Sequence, residues 1–301
     1  MEALPAAPRH RYQWADLSVF IAFHLAALGA FLVPWTARSV GLLLGLYLLR
    51  MFAVTAGYHR YFAHRTFKTS RWFQLALAFL AETSLQRGAL WWAAHHRKHH
   101  KYSDLPGDLH SPLRDGFWHS HLLWIYDHND ATDTKRIEDF ARFPELRFLD
   151  RHWQLPAWVL GIACYLIAGP SGLLVSFFLG TVILWHATFT INSLAHVWGA
   201  RRFPTTDTSR NNLWLALLTL GEGWHNNHHH YQSSARQGFY WWEVDVTYYV
   251  LRALSLAGVV RDLRETPERV LAEGRALDAR RRRERASAPS EPLPVALPEA
   301  P

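Results

Sequence analysis

The 301-residue chain has one cysteine, Cys164, and two methionines. A single cysteine excludes an in-chain disulfide framework, a cysteine-based zinc site and a cysteine-ligated iron–sulfur cluster. Cys164 lies within an apolar run and reads as a small buried or lipid-facing residue. Charged residues make up only 19% of the sequence. Ahead of Trp14 no charged start leads into an apolar core with a small-residue cleavage site, so the first apolar run is expected to stay as a span. No internal repeat stands out beyond a doubled apolar hairpin. No haem, flavin or iron–sulfur motif is evident.

Half of the residues are hydrophobic and 15 are tryptophan, a balance that suits an integral membrane protein with a sizeable extramembrane part. The net charge of +7 is concentrated in 261–286. It reads as cytoplasmic-face charge attracted to anionic lipid, with no nucleic-acid partner. Four segments, 17–34, 39–58, 155–171 and 172–195, suit membrane spans. Short turns at Pro34-Trp35-Thr36 and Gly169-Pro170-Ser171-Gly172 join them into two hairpins with tips on one side. Basic residues gather on the opposite side, so the positive-inside rule predicts cytoplasmic termini, in keeping with a multi-pass protein of a bacterial inner membrane. Arg50, inside the second span, is expected to snorkel or to mark a cytoplasmic projection. The stretch 72–94 is apolar but holds Glu82, Gln86 and Arg87, and reads as a re-entrant, interfacial or buried helix pair.

The expected architecture is all-α: four transmembrane helices carrying a cytoplasmic helical cap. Residues 1–14 form the cytoplasmic N-terminus and 15–58 the first hairpin. A histidine-rich region with interfacial helices covers 59–154, and the second hairpin covers 155–198. The cap covers 199–263, with the aromatic stretch 239–260 on the interface or the cap. A disordered basic and proline-rich tail covers 264–301.

Ten of the 19 histidines fall in three short runs: His59 and His64; His95, His96, His99 and His100; His225, His228, His229 and His230. Neutral imidazole is the commonest metal-ligand side chain. Residues three and four apart share a helix face. His96, His99 and His100, and likewise His225, His228 and His229, can each present three imidazoles to one locus. His59 and His64 are five apart, about 140° around an ideal α-helix, and converge only if the helix ends or distorts. Asn192 and His196 are four apart at the end of the fourth segment and are expected to join the same centre. His95 and His230 are out of phase and read as spacers. His110, His119, His121 and His128 follow the second run, as ligand-orienting or surface residues. His24 and His186 fall within spans. Asp104 and Asp108 are candidates to hydrogen-bond the ligand rings.

Nine nitrogen ligands exceed the three or four that zinc takes. Copper is compatible on affinity, while a dinuclear centre with open positions suits iron and dioxygen. The carboxylate-bridged Glu-x-x-His pattern of soluble di-iron bundles is expected to be absent.

At these residues the chain resembles the membrane fatty acyl desaturases, in particular the acyl-CoA Δ9 (stearoyl-CoA type) branch. The matching pieces are Gly57-Tyr58-His59 through His64-Arg65, Trp92 through Asp104, Gly116 through Trp124, Asn192 through His196, and Gly221 through His229. They span about residues 15 to 260, and His230-Tyr231 is where the chain departs from the pattern. The resemblance implies two ferrous ions held by His59, His64, His96, His99, His100, His196, His225, His228 and His229. Asn192 matches the position that holds a metal-bound water. It implies an oxygen-dependent oxidoreductase that places a cis double bond, Δ9 by analogy, in a saturated fatty acyl chain carried as acyl-CoA. Two electrons would come from a ferredoxin or a b-type cytochrome with its reductase.

Trp91, Trp92, Trp118 and Trp124 are candidate walls of an acyl tunnel. Arg60, Arg65, Lys68, Arg71, Arg97, Lys98 and Lys101 are candidates to meet an anionic headgroup or an acidic electron carrier. Two rival readings remain: a histidine-box lipid or alkane hydroxylase, and a non-catalytic membrane metal-binding protein. A metal transporter would place its polar ligands at mid-membrane, whereas these lie at span ends.

Overall fold

The computed structural model describes residues 10–127 and 131–287. Expectations for His128, for the first nine residues and for 288–301 lie outside the described residues. Three helical stretches are long and apolar enough to cross a membrane: Trp14–Leu32, Ala37–Ala63 and Leu155–Val197. Helix α1 (Trp14–Leu28) runs into a 3₁₀ turn at Gly29–Leu32. Helix α2 (Ala37–Phe52) starts at a reciprocal cap, in which the Thr36 hydroxyl accepts from Ser39 N and Thr36 N donates to Ser39 Oγ. Leu25, Leu28, Phe31, Leu44 and Leu48 project outward from this pair, as suits side chains that meet lipid rather than water.

The third stretch is 43 residues long, twice what a bilayer core of about 30 Å needs. It is not straight. Helix α5 (Leu155–Ser171) loses helical geometry at Ala168 and Gly169, where Gly169 adopts φ 62 and ψ −149. The chain folds back there: Gly161 faces Phe177, and Gly172 sits over the Cys164 carbonyl. A π-helical segment, Gly172–Leu179, leads into helix α6 (Gly180–Asn192). The tips of the two apolar hairpins meet, with Ser171 Oγ donating to Pro34 O at 2.7 Å and Ser176 Oγ to Ser39 O at 2.8 Å.

The stretch 72–94 divides into α3 (Arg71–Glu82) and the start of α4 (Ala89–Tyr102). At about 1.5 Å per residue neither helix reaches across a bilayer core. Three polar side chains of the break have partners. Gln86 donates to Thr188 Oγ1, Arg87 pairs with Asp16, and Glu82 accepts from the first amide of α4. Arg50 corrects an expectation. It does not snorkel: it is 1% exposed and donates to Thr83 O and Thr181 Oγ1, tying α2 to this break and to α6.

Beyond Val197 the chain forms a polar cap. Short helix α7 (His225–His230) and helix α8 (Val246–Leu256) belong to it. A two-residue ribbon pairs Lys68–Thr69 (β1) with Val260–Arg261 (β2), antiparallel. The expectation of a disordered tail from 264 fails over Glu268–Ser287, which is helix α9. Its charge pattern hides apolar anchors: Val270 is buried against Phe203, Phe239 and Tyr240, and Leu271 and Leu277 pack on the same cluster. Arg202–Asp278 and His230–Glu273 bonds hold the same helix to the cap.

Candidate metal centre

The second helical stretch changes its winding before the first histidine run. Residues Ala53–Ala63 form a π-helix that continues α2. A π-turn closes between residues five apart, so His64 N donates to His59 O at 3.1 Å. The extra residue per turn offsets the 140° separation of an α-helix, and the two rings come to 4.8 Å between centroids. The distortion that the five-residue spacing demanded is therefore a π-helix.

The histidines gather in two buried groups. One holds His59, His64, His96, His100 and His228, the other His99, His196, His225 and His229; each could hold a metal ion. All nine histidine candidates fall into these groups. Their partition differs from the expectation that each triplet serves one locus. His96 and His100, four apart, stay together, as do His225 and His229. The middle residue of each triplet, His99 or His228 at i+3, crosses to the other group. Positions i+3 and i+4 diverge by about 100° on a helix, so α4 and α7 each straddle the two loci and exchange one ligand.

The ring nitrogens fit metal ions better than they fit one another. Nε2 atoms of neighbouring rings lie 3.0 Å apart for His59–His228 and His100–His228, 3.1 Å for His64–His96 and His196–His225, and 2.9 Å for His96–His100. A neutral Nε2 offers either one N–H or one lone pair and so serves one contact, whereas the run His59–His228–His100–His96–His64 asks three of its Nε2 atoms to serve two. About 3.0 Å is also the edge of an octahedron with metal–nitrogen bonds of about 2.1 Å. His99 Nε2 and His229 Nε2 are buried with no partner at all.

Carboxylates behind the rings fix which nitrogen faces inward. His99 Nδ1 bonds Asp108 at 2.7 Å, His229 Nδ1 bonds Asp207 at 2.6 Å, and His59 Nδ1 makes a short contact with Glu222. His196 Nδ1 lies 3.2 Å from Thr208 Oγ1 and 3.6 Å from Asp104. Each donates at Nδ1 and leaves Nε2 as the free lone pair. Burial and the crowd of neighbouring imidazoles push His64, His96, His100, His225 and His228 well below the ordinary histidine value. His229 is lowered to about 4, burial outweighing Asp207. For Asp108 and Asp207, burial works against the charge, but His99 and His229 override it and hold both carboxylates well below their usual range. Six of the rings are thus held neutral, as metal ligands must be, whereas Asp108 raises His99 above the ordinary histidine value despite its burial.

Asp104 and Asp108 occupy the places expected of them, whereas Asp207 and Glu222 were missed. The Glu-x-x-His spacing expected to be absent does occur, as Glu222-Gly223-Trp224-His225. Its carboxylate turns to His59, Arg60 and Gln237 rather than into either nitrogen group. Arg60, expected among surface cations, is 1% exposed and held between Glu222 and Asp245.

An apolar cavity adjoins both groups. Met51, Val54, Trp92, Trp124 and Ile191 line it, with Thr55, Gln86, Thr188, Asn192 and Glu222 among its polar members. It reaches His59, His96, His99, His110 and His225. Asn192 is thus on the cavity wall beside the second group. Trp92 and Trp124 are walls, as expected. Trp91 is buried behind them, stacked on His95 and Trp124, and Trp118 is 67% exposed. His95 and His230 lie outside both groups, His95 bonded to Trp91 O and His230 stacked on Phe203. His110 stacks on His99. His24, His186 and His121 form a separate file ending at Ser193.

The fatty acid desaturase family profile matches residues 33–261. The "sn-2 palmitoyl-lipid 9-desaturase" of Nostoc sp. (strain 36) is 35% identical over 265 residues, covering 85% of this chain and 91% of that protein. "Delta-9 acyl-lipid desaturase 2" of Arabidopsis thaliana is 38% identical over 263 residues, covering 86% and 85%. The "Hex-5-enoyl-[acyl-carrier protein] acetylenase" of Moorena producens (strain JHB) is 35% identical over 253 residues, covering 77% and 78%. With three quarters of its length matched and relatives aligned over most of both chains, this protein belongs to the fatty acid desaturase family.

Proposed function

We propose that this protein inserts a cis double bond, at Δ9, into a saturated acyl chain esterified in a membrane lipid, using two iron ions. The observation that carries the reading is the convergence of nine histidine Nε2 atoms into two groups beside an apolar cavity. The acyl-CoA expectation gives way here to a lipid substrate, because the Nostoc and Arabidopsis relatives are named for lipid-bound chains. Four spans follow if the folded-back third stretch crosses twice. The histidine cap then lies on the cytoplasmic face with both termini, where a ferredoxin or a b-type cytochrome with its reductase can reach it.

A methylene C–H bond is beyond any side-chain acid or base, and bound iron would supply the activation of dioxygen that breaks it. The balance is one –CH₂–CH₂– unit, one dioxygen, two electrons and two protons, giving –CH=CH– and two waters. The chain's own residues do the rest. His59, His64, His96, His100 and His228 would hold one ion, and His99, His196, His225 and His229 the other. Asn192, on the cavity wall, would offer its amide to a water there. Met51, Val54 and Ile191 hold methylenes against the nitrogen face and keep bulk water out. The Gln86–Thr188 hydrogen bond fixes one of the polar points on a mainly apolar wall and so helps set where the acyl chain rests.

The test is expression in cells that lack monounsaturated lipid, with double-bond position and lipid class read by mass spectrometry. New Δ9 chains in glycerolipids, absent with His229→Ala, are the expected result. Hydroxylated chains would favour the hydroxylase, and no lipid change would leave only a metal-binding role.

A further inference from the structure

A second cavity, of about 430 Å³, lies between the β1–β2 ribbon, the start of α3 and residues 139–143. Six of its lining side chains are cationic (Arg65, Lys68, Arg71, Arg142, Arg261 and Arg264) against two carboxylates, Asp139 and Asp262. The carboxylates are already engaged. Asp139 receives both Arg97 nitrogens and Arg65, and Asp262 holds Lys68. Arg71 is taken by Glu145, just outside the cavity. Arg142, Arg261 and Arg264 have no carboxylate partner among the described residues.

Gln74 points to what these cations meet. It is 3% exposed and lines the same cavity. Its Oε1 accepts from Tyr61 at 2.9 Å, while its Nε2 is a buried donor with no acceptor. A buried donor in a cavity lined by three guanidiniums with no carboxylate bonded to them calls for a compact anion with several acceptor oxygens, and guanidinium geometry matches phosphate oxygens. The surroundings place that acceptor at the membrane surface. Trp72, next to Arg71, is 82% exposed. The Arg71–Glu145 pair links α3 to the helix Pro144–Arg151, where Phe148 is 55% exposed and which leads into the third apolar stretch. Exposed aromatics beside basic residues mark the headgroup layer.

We propose that this cavity binds the phosphate of an anionic phospholipid headgroup, at a site separate from the histidine cavity. The assignment does not rest on the desaturase reading. Its test uses the purified full chain in phosphatidylcholine nanodiscs titrated with phosphatidylglycerol, with bound lipid counted by native mass spectrometry. The wild type should bind one phosphatidylglycerol saturably, and less tightly as salt rises. Combined Arg142→Gln, Arg261→Gln and Arg264→Gln should weaken that binding by about tenfold or more. Gln74→Leu should also weaken it while bound iron stays unchanged. Equal phosphatidylglycerol binding by wild type and triple variant overturns the site. Inorganic phosphate binding to the detergent-solubilised chain as tightly as phosphatidylglycerol overturns the lipid source in favour of a soluble phosphate compound. Loss in the triple variant of an acidic protein's binding, with lipid binding untouched, overturns it in favour of a protein partner.

Discussion

Asp108 and Asp207 act through imidazole rings: each takes the Nδ1 proton of a histidine and so directs Nε2 inward. Losing such an outer partner typically costs about 10–100-fold in metal affinity. Asp207→Asn keeps the shape of the side chain but removes the charge behind His229. Iron retained against a competing chelator should fall by about that factor, and His230→Phe, outside both groups, should retain iron like the parent. Equal retention by Asp207→Asn would mean that His229 holds no metal. Residues of this kind differ in how far the chain announces them. Asp104 and Asp108 follow the second run closely enough to be suspected from sequence. Asp207 lies 22 positions from His229 and Glu222 lies 163 from His59. No local spacing connects such pairs, and only the folded cap brings them together.

At the scale of elements, the i, i+3, i+4 spacing marks α4 and α7 as ligand helices, but it does not say that each serves two loci. That division depends on how the helices cross, which is a matter of tertiary packing. The π-helix is similar: the five-residue gap between His59 and His64 implies a distortion, and the packing around Gly57 shows its cost. A side-chain carbon at Gly57 would stand 3.3 Å from the Leu77 carbonyl and 3.5 Å from Leu77 Cβ on α3. Gly57→Val should therefore push α3 away from the π-helix and destabilise the protein by about 1–3 kcal/mol, read as a lower thermal midpoint together with lost iron. Gly41→Ala on α2, where nothing lies within 4 Å, should leave both measurements unchanged. If Gly57→Val behaved like Gly41→Ala, the close contact between the π-helix and α3 would not be a constraint.

For the whole molecule, nine buried imidazoles at one place are a liability without metal, and pH exposes it. His64, His96, His100, His225 and His228 are lowered well below their ordinary value of 6.5, and His229 to about 4. Below about pH 6.5 the unfolded chain takes up protons that the folded chain refuses, so folding stability falls with pH across that window. His99 works the other way: burial lowers its value but Asp108 raises it more, so its contribution is present at low pH and lost as pH rises. One raised histidine does not offset six lowered ones. Asp108 and Asp207, both depressed, contribute stability that is lost only at more acid pH, below the ordinary carboxylate range near 3.9. In the interval from about 6.5 to about 4 the six lowered histidines outnumber the groups that act against them, the buried carboxyls of Glu82, Asp150 and Glu243, which burial raises and which add stability as pH falls. Chelator-stripped protein should lose thermal stability steadily between pH 7 and 5. Iron-loaded protein should start higher, because a ligand that binds only the folded state stabilises it. The gap should close as pH falls, because protons compete with metal for the same nitrogens. A stripped protein whose midpoint does not move between pH 7 and 5 would contradict the buried, converging arrangement of these rings, whatever its activity.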